Sequence, residues 1–178
     1  MNYLICFITL LLAYAPVSMT ESYPVTTSYD RASDITTARI ALHTDDSTPA
    51  HLTIEANAAF RGKEPNTEAR FWFTLTVTRG QATRKTPPLL AASGALHLSL
   101  DETRLAAQLT EYRKEYYELI RCVSESAQAE IARADFAKLL AANRLSGQCG
   151  TLEFQLSENA LAALKTFLTR QALATPSQ

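Results

Sequence analysis

The chain has 178 residues, 47% of them hydrophobic, and a formal net charge of −1 at pH 7. Such a balance argues against the basic footprint that nucleic-acid binding requires, so no nucleic-acid partner is expected. The five glycines are too scattered to build a phosphate-cradling loop.

Met1–Thr20 carries no charged side chain and contains one apolar run, Tyr3 to Ala15. The run falls short of the roughly 20 apolar residues that cross a bilayer. It has the length of a signal-peptide apolar region. Residues 1–20 are therefore read as a signal peptide, and the protein as exported, periplasmic or secreted. The usual Lys or Arg before the run is missing. Two cut positions stand open: after Ala13-Tyr14-Ala15, where Pro16 follows, and after Ser18-Met19-Thr20. Two alternatives remain. One is an uncleaved anchor, which would tie the protein to the membrane through this leader alone. The other is a buried N-terminal strand. Cys6 lies inside the run behind Ile5, which does not suit lipid attachment.

After the leader about 155 residues remain, the size of one domain. Residues 21–35 are polar and rich in Ser and Thr, an extended lead-in. Residues 36–173 read as a single β-rich globular domain, and 174–178 as a short polar tail.

Within the domain the first half alternates. Ala38, Ile40 and Leu42 share one parity, as do Leu52, Ile54, Ala56, Ala58 and Phe60. In Arg70–Thr78 the pattern is complete, with Phe71, Phe73, Leu75 and Val77 against Trp72, Thr74, Thr76 and Thr78. Leu96, Leu98 and Leu100 repeat it. Period two with one apolar face predicts half-buried antiparallel strands. Residues 104–131 have two readings. Leu105, Leu109, Tyr112, Tyr116, Leu119, Val123, Ala127 and Ile131 recur at helical spacing among good helix formers. Tyr116, Glu118, Ile120 and Cys122 alternate as a strand would. Ala134–Asn143 predicts a short helix, and Leu152, Phe154 and Leu156 a strand. Ser157 is placed to cap a helix whose stripe is Leu161, Leu164, Phe167 and Leu168. Gly147 and Gly150 suit a bend or bulge before the strand. The expected class is α+β, a mainly antiparallel sheet or sandwich with two short C-terminal helices.

Several blocks resemble an uncharacterised family of exported bacterial domains, a domain of unknown function. They are Tyr29–Thr37, Leu96–Arg104, Val123–Phe136 and Ser146–Ser157. Their order and spacing span about Tyr29 to Phe167. The resemblance implies a strand over Val123–Ile131 leading into a short helix, and a hairpin over Asp101–Tyr112 after an Asp-Gly turn. This chain has Glu102 where that glycine is usual, and Ala132 where proline is usual. The resemblance carries no activity, and the cysteines are not part of its pattern. It favours strand for Tyr116–Ile131 against the local helical pattern.

Cys122 and Cys149 are the cysteines outside the leader. In an oxidising compartment two such thiols suggest a disulfide; two unbridged structural thiols are the alternative. His43, His51 and His97 lack zinc-like spacing, and no metal or other cofactor is expected. Neither a Gly-x-Ser-x-Gly elbow nor a His-Glu-x-x-His pair occurs. The readings that remain are two. The first is a non-catalytic interaction or structural module of the bacterial envelope, whose partner is another envelope protein. Its candidate contact residues are Trp72, on the polar face of its strand, with Tyr112 and Tyr116 in a polar-aromatic cluster reaching Glu118. The bland reading of that cluster is a solvated surface. The second is an enzyme assembled from His43, His97, Asp45, Asp46 and Glu125, which no motif supports. The apolar parity sets leave no polar residue expected to point into the core.

Overall fold

Alternation sends one face of a strand into the core and the other into water, and most of this protein is built by that rule. The computed structural model describes residues 22–42, 50–66, 68–90 and 94–171. The leader, His43, Asp45, Asp46 and the polar tail lie outside the described residues. The strands are β1 (Val25–Asp30), β2 (Ile35–Leu42), β3 (His51–Arg61), β4 (Arg70–Arg79), β5 (Ala95–Leu100), β6 (Thr103–Tyr117), β7 (Cys122–Glu130), β8 (Leu145–Cys149) and β9 (Leu152–Gln155). They form an antiparallel sheet in the order β1-β2-β3-β4-β7-β6-β5-β8-β9. A 3₁₀ turn at Arg133–Asp135 leads into α1 (Phe136–Ala141), and α2 (Glu158–Gln171) follows β9. The fold is α+β, mainly antiparallel sheet with two short helices near the C-terminus, as expected.

The sheet has two arms joined by β6. Thr103–Gln108 of β6 pairs with β5, and Leu109–Tyr117 pairs with β7. The register slips between Thr110 and Arg113, where Glu111 takes φ 52°. An irregularity of this kind bends and twists its strand. Both arms feed one apolar core. Ile40, Ile54 and Leu75 belong to it, and so do Leu96, Leu98 and Phe154 from the other arm. The helices add Phe136, Leu139, Leu164, Phe167 and Leu168. Phe71 is fully buried and joins β4 to both helices. Its ring lies edge-on to Phe136 at 5.4 Å and tilted to Phe167 at 6.4 Å. The Ser157 hydroxyl accepts the Ala160 N–H at 3.2 Å and caps α2.

Residues 104–131 form β6, a turn and β7. The helical-spacing set is divided: Val123 and Ala127 are fully buried, while Leu119 is fully exposed. Helix preference is a few tenths of a kcal/mol per residue. Cross-strand pairing and burial between β4 and β6 outweigh it for β7. Asp101-Glu102 forms the tight turn that joins β5 to β6, with no glycine in it. Asp101 takes φ 51° and its carboxylate accepts the Asn143 and Arg144 N–H groups, each at 2.9 Å.

Two strands escaped the pattern. The lead-in contains β1, an edge strand paired with β2 from Val25↔Ile40 to Asp30↔Ile35. All its residues are exposed, so no alternation marks it. The bend expected at Gly147 and Gly150 is strand β8 plus a tight turn. Gly150 takes φ 62° in that turn, while Gly147 is needed because the Phe154 ring fills the place of a Cβ.

The expected disulfide does not form. Cys122 and Cys149 are both buried and are not joined to one another. β7 and β8 are not neighbours in the sheet; β6 and β5 lie between them. Cys122 faces Tyr117, and Cys149 sits beyond Gln148, which faces His97 next to the Leu96↔Ala107 pair. The stretch of β6 from Ala107 to Tyr117 lies between them, about 30 Å of strand at about 3.3 Å per residue. A bridge needs Cα atoms within about 7 Å.

Candidate functional site

Alternation along β7 aims Val123, Glu125, Ala127 and Ala129 at the interior. Glu125 is fully buried, which corrects the expectation that no polar residue points into the core. Arg79, near the end of β4, donates from Nη2 to Glu125 Oε1 at 2.7 Å. The Leu89 and Leu90 N–H groups donate to Oε2 at 2.8 and 3.1 Å, and the Tyr112 hydroxyl approaches the same oxygen at 3.4 Å. Arg79 also donates to the Pro87 carbonyl at 2.6 Å. Among the described residues, Arg79 Nε is buried with no hydrogen-bond partner. Both carboxylate oxygens are therefore occupied. The pair clasps the loop between β4 and β5 and seats the fully buried Leu90 in the core. This is the chemistry of a brace, because a general base needs an oxygen open to substrate. Burial first, and the Glu125 charge second, raise the Tyr112 pKa.

His97 faces the other way. It is exposed on β5, opposite Gln148 of β8 and Ala106 of β6. It lines an open depression of about 760 Å³ with Ser99, Arg104, Ser146, Gln148 and Glu153. The chain thus separates His97 from Glu125 by the thickness of the sheet, and His43, Asp45 and Asp46 lie outside the described residues. Among the described residues no group of three or more His, Cys, Asp or Glu is placed to hold a metal ion. No helix among them is long and apolar enough to cross a membrane.

Trp72 lies half-buried on the outer face, between Asn57 of β3 and Glu130 of β7. It lines a groove of about 280 Å³ with Arg70, Glu130, Gln128, Thr110 and Glu111. The groove runs beside the register slip of β6, and Thr110 and Glu111 at that slip form part of its wall. Arg70 and Glu130 close one wall with two hydrogen bonds, Nε–Oε1 at 3.1 Å and Nη2–Oε2 at 2.6 Å. The bond from Arg70 holds Glu130 below the usual carboxylate range.

Tyr112 and Tyr116 are placed apart from Trp72. Tyr116, opposite Val123, lies under the Arg84 guanidinium at 5.9 Å, and Lys114 donates to the Thr86 carbonyl at 2.6 Å. The cluster is thus partly used in holding the loop between β4 and β5. Tyr117 instead donates to Glu115, which raises its pKa. Sequence reasoning missed the Arg79–Glu125 clasp. A signal was present, since Glu125 shares parity with Val123, Ala127 and Ala129.

The chain matches no protein-family model, no curated protein and no solved structure.

Proposed function

We propose that this is an exported, non-catalytic contact module of the bacterial envelope, which engages another envelope protein through the groove around Trp72. The groove is the observation that carries the reading. Trp72 adds little to the core, because its strand buries Phe71 and Phe73 on the opposite face. Tryptophan in a partly desolvated pocket, rimmed by an ion pair, is the composition of an interface hot spot. The signal-like leader supports export. The saturated state of Glu125 and the outward placement of His97 speak against an assembled catalytic site.

The test is partner capture from envelope extract with the wild-type chain and with Trp72→Ala. The variant is expected to lose one discrete partner while its melting temperature stays unchanged. Tyr112→Ala and Tyr116→Ala are expected to weaken capture less, since Tyr112 reaches Glu125 and Tyr116 packs under Arg84, away from the groove. Capture unaffected by Trp72→Ala would remove the groove from the account.

A further inference from the structure

The β6–β7 hairpin ends in the turn Glu118-Leu119-Ile120-Arg121, closed by the Arg121 N–H on the Glu118 carbonyl at 3.2 Å. Leu119 is fully exposed and Ile120 is 70% exposed. Turn positions favour Gly, Asn, Asp and Ser, and two adjacent aliphatic residues at the apex serve no packing role. Tyr117, the last residue of β6, is 46% exposed beside them.

The loop between β4 and β5 is fastened to the same end of the sheet. The Ala82 N–H donates to the Arg121 carbonyl at 2.8 Å, and Arg84 reaches Glu118 at 3.4 Å. Arg84, Lys85 and Arg121 therefore stand at this end of the sheet, with Lys114 farther along β6 and bound to the Thr86 carbonyl, all exposed. Two acids stand among them, Glu118 paired with Arg84 and Glu115 bonded by the Tyr117 hydroxyl, which leaves four cations against two anions. The local excess is cationic in a chain whose total charge is −1.

We infer that this hairpin end is a membrane-binding tip, which inserts Leu119 and Ile120 into the interface of an anionic lipid bilayer. A convex aliphatic apex fits a deformable headgroup layer better than the closed surface of a folded partner. Lys and Arg stems lie along apolar surface while their charges meet lipid phosphates. Tyrosine prefers the same interfacial depth. Shallow insertion plus charge attraction is how proteins lie on a membrane without crossing it. This goes beyond the contact module proposed above. The tip sits where β4 ends and β7 begins, and the Trp72 groove sits at the opposite ends of those strands, so one surface can be occupied while the other is free.

The test uses the full chain carrying Trp72→Phe and Leu119→Trp, which leaves one tryptophan, at the apex. It is mixed with phosphatidylcholine vesicles, with or without phosphatidylglycerol, that contain brominated lipid. The expected result is a blue shift and quenching of the emission with the anionic vesicles alone, both weakened by added salt. Adding Arg84→Glu and Lys85→Glu is expected to abolish both. Leu119 is the reporting position, so association through the leader without tip insertion produces neither signal. No shift or quenching with anionic vesicles overturns the inference, as do equal signals with neutral vesicles or signals that survive the charge reversals.

Discussion

Arg79 Nη2 lies 2.7 Å from Glu125 Oε1, and the Glu125 side chain has no solvent exposure. The bond ties the end of β4 to β7 across a register that places Val77 opposite Glu125. Removing one member leaves the other charge in the protein interior without its counter-charge. Arg79→Ala is expected to destabilise the fold by about 3–5 kcal/mol in chemical denaturation, the range for a broken buried pair. Replacing both with methionine is expected to cost less than the sum of the two single changes. A cost below about 1 kcal/mol for Arg79→Ala would show that the clasp does not hold the loop.

Gly147 faces Phe154 across the β8–β9 ladder, and the Phe154 ring occupies the space a Cβ would take. Gly147→Ala is expected to destabilise by about 1–3 kcal/mol through overpacking. Adding Phe154→Leu is expected to restore part of the loss, seen as a positive coupling in a double-mutant cycle. Independent, additive effects would contradict the close approach.

The two C-terminal thiols are expected to be chemically available once the chain unfolds. Alkylation in denaturant without reductant should label both Cys122 and Cys149 by mass spectrometry. Folded protein should resist labelling, since both side chains are buried. Protection that persists in denaturant and vanishes with reductant would reinstate the bridge.

Much of the fold is legible in the chain because burial is one-sided. Alternation marks β2, β3, β4, β5 and β9 directly, and Ser157 marks the start of α2. β1 leaves no mark because it is exposed on both faces. Over β6 and β7, local residue preference points to helix, and only pairing with β4 and β5 decides for strand. The candidate groove was half legible. Trp72 stands out on a polar face, but the register slip at Thr110–Arg113 that borders the pocket has no signature in composition. The failed cysteine pairing has the same cause, since which strands are neighbours is a property of the sheet order.

Glu130 links the groove to pH. Its bond to Arg70 lowers its pKa from the ordinary 4.5, so it remains charged in the fold where the unfolded chain begins to protonate. The resulting stability is present above that ordinary value and is lost as pH falls through the lower, folded one. Both side chains are more than half exposed, so solvent screening limits the contribution to about 1 kcal/mol at most. Carboxyl NMR titration should find Glu130 ionising below the usual range, and Arg70→Ala should return it there. An unchanged titration in the variant would contradict the pairing.

The claim that the groove is a contact surface is tested most directly by site-specific photo-crosslinking in the envelope of living cells. A photoreactive residue at Thr110 or Gln128, both lining the groove, is predicted to give one discrete adduct that Trp72→Ala abolishes. The same probe at exposed Gln155 on β9, outside the groove, is predicted not to give it. No groove-specific adduct, or one that Trp72→Ala leaves intact, would contradict the account.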